Sequence, residues 1–375
     1  FFYIAAIFAF FLMIGYKTKL SHVVTVITIL SIHNRLIILE NGGDMVLNSF
    51  LIWSIFMPLG SRFSIDRLLS SLKMSPDTSP ASLNELGVNK INGEKYYYGL
   101  AYFACLLQLS IIYFFNYINK DGSTWEQGTS IYYFYQLENF LTPFGYFIKE
   151  YSLMPLWLSK ILTFTTIQLE LIVPFLLMIP FFVVWIRRFT LVAMLGFHFI
   201  IGISLYIGTF SWVMIAALLL LLGSRDIENL RIFLKKISAG PFIVFYDSDC
   251  GFCHQVARII SRMDLFNNLI WAGKDWEAET PKDIESIREH SIVVWDKAQD
   301  RIFTRHHAFS KIIFSLPFGF VVGWILLIPG FSYVAGFIYD RIAKARTKIS
   351  IFLGYSACDI SKNSFSNTAN ASSAI

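Results

Sequence analysis

Two cysteines separated by two residues, Cys250 and Cys253, stand in the stretch FIVFYDSDCGFCHQV from Phe242 to Val256. Thiols at that spacing can close a disulfide, exchange it with another, or hold a metal. What they do depends on the elements that carry them. Phe242 to Tyr246 is a β-branched and aromatic run that predicts a strand, and Asp247 to Asp249 supplies turn and capping residues. From Cys250 onward the apolar residues recur at helical spacing. Both thiols therefore fall on the first turn of a helix, where unpaired backbone N–H groups and the dipole favour an anion. The expectation is a reactive thiolate at Cys250, a helix cap at Asp249, and a more shielded Cys253 close enough to close the disulfide.

Other readings of these residues are open to the same physical test. Cys250, Cys253 and His254 spell C-x-x-C-H, a c-type haem attachment pattern. The pair follows a buried strand, however, and no second motif offers an axial ligand. A structural metal would need a second Cys or His pair at zinc spacing, so no metal site is expected. His306 and His307 follow a strand and are read as opening a helix. Cys105 reads as core, since free cysteine packs as a small hydrophobe. Cys358 reads as structural, with a third redox thiol as the alternative.

The elements around the dithiol set its surroundings. Of the 375 residues, 55% are hydrophobic and only 15% charged, against about a quarter charged in a soluble domain, so most of the chain belongs in a membrane. The deficit of charge lies before residue 224. The division expected is a multi-pass membrane domain over 1–223, a basic linker over 224–240, a soluble domain over 241–358, and a polar tail over 359–375 that cannot bury a core. The chain begins at Phe1, inside an apolar run and without Met, so a preceding native N-terminus is expected. After the dithiol helix come strands at Leu269 to Ala272, 291 to 296 and 301 to 305, a helix after Pro281 and helices from His306. This β-α-β then α-β-β-α order predicts an α/β thioredoxin-like fold behind an α-helical polytopic membrane domain. The apolar run Leu316 to Ile328 is too short and too broken by Gly and Pro for a span; it either covers the sheet or dips into the membrane face.

Seven apolar segments divide the membrane half, near 1–15, 20–39, 44–60, 97–118, 161–185, 189–207 and 209–223. Basic residues fall on alternate loops: Lys17 and Lys19; Arg62, Arg67, Lys73, Lys90 and Lys95; Arg187 and Arg188; Arg225, Arg231, Lys235 and Lys236. Such loops face the cytosol, which puts the dithiol domain there too, in a bacterial cell membrane. Ionisable groups inside spans are costly and so mark candidate sites: His33, Arg35, Glu170 and His198. Interhelical hydrogen bonding is the plainer role for each. The partners expected are the bilayer and a thiol or disulfide substrate, protein or small molecule. The net charge of +5 is modest, and no nucleic acid is expected.

Several stretches of the membrane half carry a resemblance: 31–66 (SIHNRLIILENGGDMVLNSFLIWSIFMPLGSRFSID), 123–145 (STWEQGTSIYYFYQLENFLTPFG), 168–177 (QLELIVPFLL) and 197–215 (FHFIIGISLYIGTFSWVMI). Together they resemble the horizontally transferred transmembrane (HTTM) family, which is related to the vitamin K-dependent gamma-carboxylases. The resemblance implies that Lys120, before Trp125 and Gly128, matches a lysine that acts as base in quinol chemistry, with a quinone as substrate or cofactor. The carboxylases' large lumenal domain has no counterpart here. FYDSDCGFC, the later strand pair and IYDRIAKARTKISIFLGYSAC resemble the DCC family of thiol-disulfide oxidoreductase-like proteins, whose motif falls on Asp249, Cys250 and Cys253. Thioredoxins place a cis-proline before the third strand; here His290 and Ser291 stand there, which implies different handling of substrate beside the thiols.

Overall fold

The computed structural model describes residues 1–35, 38, 40–61, 64–74, 99–274, 276–278, 280, 281, 284, 287, 291–317 and 319–354. Arg62, Lys90, Lys95, most of the helix expected after Pro281, His290, Cys358 and the polar tail lie outside those residues. Two compact units are present, Phe1–Arg67 with Tyr96–Asp226, and Leu68–Lys95 with Ile227–Ile375.

The first unit is helical. Its helices are α1 (Phe2–Ile14), α2 (Thr18–Arg35), α3 (Gly42–Ser54), the start of α4 (Ile65–Met74), most of which belongs to the second unit, α5 (Leu100–Ile118), α6 (Pro143–Glu150), α7 (Leu156–Met178), α8 (Val183–Ser204) and α9 (Phe210–Leu218), and α10 (Ser224–Ile237) follows. Each of the seven apolar segments overlaps a helix, but among the described residues only α5, α7 and α8 are long and apolar enough to cross a bilayer by themselves. Helix α1 is apolar but has 13 residues, α3 also has 13, and α2 is diluted by Lys19, His22 and a row of hydroxyls. Phe210–Leu221 meets the criterion only in combination with α10. Helix α7 begins and ends earlier than its hydropathy suggests. Pro155 sets its N-cap, and it stops at Ile179, the residue before Pro180, where the helical conformation is disfavoured.

The core of this unit gathers Leu106, Leu109 and Tyr113 from α5, Val173 and Leu177 from α7, Met194 from α8 and Met214 from α9. The opposite faces carry exposed Phe103, Phe115, Phe164, Phe175, Val192 and Phe199. Large apolar side chains turned outward on helices of spanning length are what a lipid-facing surface requires. Gly43 lets α3 approach closely, since a Cβ there would meet the Phe210 backbone nitrogen at 2.4 Å.

The second unit is built on a four-stranded sheet of order β2-β1-β3-β4, with β1 (Phe242–Phe245), β2 (Leu269–Ala272), β3 (Val293–Asp296) and β4 (Arg301–Thr304). β1 pairs parallel to β2 and antiparallel to β3, and β3 runs antiparallel to β4. The parallel pair requires a crossover, supplied by helix α11 (Gly251–Met263). Because strand side chains alternate, Phe242 and Val244 feed one core with Ala257, Trp271, Val294 and Ile312, while Phe245 feeds the other with Ala272, Ile284, Val293 and Trp295. Helices α12 (Arg305–Ser315), α13 (Gly319–Ile325) and α14 (Pro329–Phe352) complete the unit. His306 and His307 lie in the first turn of α12, as the sequence suggests. This is a thioredoxin-like α/β domain that follows, in the chain, a helical domain with three apolar spans among its described residues.

Two stretches differ from the sequence reading. The basic stretch after 223 is not plain linker: α10 exposes Ile227, Leu230, Phe233 and Ile237 on one arc and Lys235 and Lys236 on the other, with Arg231 half-buried and donating to the Leu265 carbonyl at 2.6 Å. Leu72, placed by hydropathy with the membrane half, belongs to the second unit, where its carbonyl accepts a hydrogen bond from Arg258 Nη2 at 3.0 Å. Arg258 is 3% exposed, and a buried guanidinium needs such an acceptor.

Candidate active site

The dithiol is placed by the end of a central strand. β1 delivers the chain to the sheet edge, 247–249 turns it, and α11 starts with Cys250 itself as the N-cap. The Cys250 sulfur accepts the backbone N–H of Cys253 at 3.5 Å, filling the place a Ser or Asp side chain usually takes. Helical periodicity then turns His254, Ala257, Arg258 and Ser261 inward against the sheet. His254 is buried with Nδ1 3.3 Å from the Tyr246 hydroxyl and its ring stacked on Tyr246. Among the described residues, no group of three or more His, Cys, Asp or Glu side chains gathers as a metal site.

The electrostatics separate the two thiols. The S–H of Cys253 donates to the Cys250 sulfur, and that bond, with the Cys253 amide and the Arg346 guanidinium, outweighs burial and the charge of Asp247; the Cys250 thiol is lowered to about 6. The same bond pushes Cys253 far up, reinforced by its burial and by the Cys250 anion beside it. Near neutral pH the pair is therefore a Cys250 thiolate beside a Cys253 thiol.

The surroundings correct two expectations. Asp249 does not cap the helix: its carboxylate pairs with Lys274. Asp247 is the acidic group that shapes the turn, accepting the Asp249 N–H at 3.1 Å and pairing with Arg346 at 3.3 Å. The exposure order is also reversed. Cys250 is the buried thiol, 8% exposed, while Cys253 is half-buried with its side chain against the sheet core. A cap residue tucks under the turn that precedes it, so position in the helix does not translate into depth. Arg346 gives no local signal in the sequence, because α14 brings it from far along the chain. Before the third strand, Ser291 Oγ accepts the Arg305 N–H at 3.1 Å and lies 3.0 Å from the Tyr339 hydroxyl.

In the membrane unit the polar residues form separate groups. Lys120 pairs with Glu170, which is buried on α7, and also donates to the Asn116 carbonyl at 3.3 Å. Its ammonium lies 5.1 Å from the centre of the Trp125 ring. His198 Nε2 bonds the Tyr113 hydroxyl at 2.9 Å, both deeply buried. His33 belongs elsewhere, with Asn48 at 2.9 Å and Asp44 at 3.8 Å. Arg35 is exposed at the end of α2. Cys105 is core, 1% exposed. Sequence reasoning missed Tyr113, and also a cleft of about 290 Å³ lined by Thr124, Trp125, Ser130, Tyr133 and Gln136.

Two family models match parts of the chain. Residues 244–352 match the DCC1-like thiol-disulfide oxidoreductases. Residues 115–229 match the lipase maturation factor transmembrane domain, a range that holds Lys120, Glu170 and His198. The transmembrane match thus names a different family from the HTTM resemblance noted in the sequence. No curated protein and no solved structure matches the chain. Together the matches make this a membrane-associated protein with a thiol-disulfide oxidoreductase domain.

The leading cause of the low Cys250 value is the Cys253 thiol, so its removal has a definite sign. In Cys253→Ala the Cys250 thiolate loses an S–H donor, and its titration midpoint rises from about 6 towards the ordinary thiol range. Arg346→Ala moves it the same way by less. Iodoacetamide labelling rates of the reduced protein against pH check both; an unmoved midpoint in Cys253→Ala would contradict the assignment.

Proposed function

We propose that the chain is a membrane-anchored thiol-disulfide oxidoreductase of the disulfide-reducing type, with Cys250 as nucleophile and Cys253 as resolving thiol. The observation that carries this reading is the convergence of the Cys253 amide and thiol on one sulfur, which keeps Cys250 anionic at neutral pH. The Cys250 thiolate attacks one sulfur of a substrate disulfide, forms an intermolecular disulfide and expels the other sulfur as a thiolate that takes up a proton. Once Cys250 is no longer an anion, the main cause holding the Cys253 proton is gone. Cys253 loses it, attacks the Cys250 sulfur and releases the second substrate thiol. Two electrons have then passed to the substrate, the protein holds a Cys250–Cys253 disulfide, and a dithiol donor must reduce it again. Asp249, paired with Lys274 at the rim, is placed to meet an approaching substrate and not to cap the helix.

Cys253→Ser stops the reaction at the intermolecular disulfide. Affinity purification of that variant without reductant is expected to recover a substrate released by dithiothreitol, with nothing held by Cys250→Ser. Capture by the second variant and not the first would reverse the two roles.

A second reading concerns the membrane unit. A buried glutamate in a span, paired with a lysine just past the end of α5 whose ammonium faces a ring that lines a cleft, is an expensive arrangement for structure alone. In line with the HTTM resemblance, Lys120, as a neutral amine that has passed its proton to Glu170, would take the hydroxyl proton of a quinol held near Trp125 or act as base on a lipid-linked substrate there. The dithiol would serve as reductant, closing to its disulfide as a quinone takes up two electrons and two protons. Lys120→Ala is then expected to abolish turnover with a quinone while leaving Cys250 labelling unchanged. Full quinone turnover in that variant would remove this reading and leave the dithiol chemistry standing.

The sorting of basic loops supports a cytosolic oxidoreductase domain, in a compartment where thiols are kept reduced and a reductase can be recharged. A reporter fused after Ser238 should behave as cytosolic and one inserted at Gly122 as external. The opposite pattern would make the domain an oxidant or isomerase in an oxidising compartment.

A further inference from the structure

From Ile312 to Tyr339 the chain carries no Asp, Glu, Lys, Arg or His, although this stretch belongs to the oxidoreductase unit and not to the spanning helices. It folds as the end of α12, the short helix α13, a turn at Leu327 and Ile328, and the first half of α14. One side is pinned to its own domain. Ser310 Oγ donates to the Gly323 carbonyl at 3.0 Å, His306 Nε2 lies 2.9 Å from Ser332 Oγ, and the Ile292 N–H donates to the Tyr339 hydroxyl at 3.1 Å. Gly323 permits the close approach, since a Cβ there would meet the Phe314 ring at 2.9 Å.

The other side is bare. Trp324, Leu327, Phe331, Val334, Phe337 and Ile338 are between 43 and 62% exposed. Soluble domains rarely leave such a contiguous apolar surface uncovered. The stretch is too short to be a span: α13 has seven residues, about 10 Å of helix against a ~30 Å hydrocarbon core.

We propose that the α13–α14 hairpin is a re-entrant membrane anchor, dipping into the cytosol-facing leaflet and holding the oxidoreductase domain on the lipid surface. Three observations choose lipid over a protein occupant. The polar side chains within the stretch are mostly spent internally, Ser332 on His306 and Tyr339 on Ile292, whereas a protein interface needs about one hydrogen bond per 100–200 Å². The apolar run gives way on α14 to exposed Arg341, Lys344 and Lys348, with Arg341 5.0 Å from the centre of the Phe337 ring. Basic residues beside a buried apolar face suit anionic headgroups. The bilayer is also always within reach, because the domain follows the spanning helices through α10, 14 residues or about 21 Å long.

The anchor bears on chemistry through α14. Ile338 and Arg346 are eight residues apart on one helix, about 12 Å, and Arg346 pairs with Asp247 in the turn before Cys250. A domain seated by this hairpin presents its dithiol near the membrane surface.

The full-length protein in vesicles of phosphatidylcholine and phosphatidylglycerol tests this. With the native cysteines replaced by serine, Val334→Cys and Phe331→Cys are each labelled with a fluorophore, and Gln299→Cys, in the β3–β4 turn, serves as reference. The expected result is loss of most of the Val334 and Phe331 signal with nitroxide-bearing lipids and little loss with aqueous iodide, the reverse holding at Gln299. Quenching by iodide at all three positions would overturn the anchor. Protection of Val334 and Phe331 from both quenchers would overturn it in favour of a protein contact. Photo-cross-linking of the unsubstituted protein with a diazirine phospholipid gives an independent reading: adducts are expected in 319–342 as well as on α7, and adducts on α7 alone would overturn the proposal.

Discussion

A thiol is mostly thiolate at neutral pH only if something holds its anion, and at Cys250 the holder is the residue three positions on. The Cys253 N–H reaches the sulfur at 3.5 Å and the Cys253 thiol shares its proton with it. Both bonds require that Cys250 be the N-cap, with extended φ and ψ of −84° and 106°, so that its side chain folds back over the first turn. That conformation depends in turn on β1 and β2 running parallel, because only then must the chain leave the sheet and return through a helix. The acidity of one sulfur is in this way a consequence of sheet topology.

The same arrangement makes the acidity conditional. Cys250 is kept anionic chiefly by a partner that is itself a reactant, and Cys253 is kept protonated chiefly by the anion it supports. Forming a mixed disulfide at Cys250 removes the charge and frees the second thiol, so each step prepares the next. Arg346 and Asp247 act on both sulfurs with opposite sign and are paired with each other, which leaves the thiol–thiol contact as the dominant influence.

The membrane unit solves a different problem. Ionisable side chains within helices of spanning length need partners, because water is not there to solvate them. Glu170 meets that need with Lys120, and Tyr113 with His198. The exposed phenylalanines on the outer faces of α5, α7 and α8 need no partner other than lipid. Whether a polar group lies inside or outside a helix bundle decides its chemistry more than its residue type does.

Much of this was legible in the residues themselves. The strand at Phe242, the dithiol helix and the order of strands follow from alternation, turn residues and helical spacing, all of which are local. The apolar segments were visible for the same reason, although Pro155 and Pro180 shifted the bounds of α7. Site residues were legible where their type is rare in its setting, as with paired cysteines or a glutamate in a span. What needed the tertiary structure was every relation between distant residues. Asp249 turned to Lys274 and left Cys250 to cap its own helix; Arg346 came to the dithiol along α14; Tyr113 met His198 across two helices. Periodicity says which face of an element is apolar, but which polar group ends beside which is set by packing.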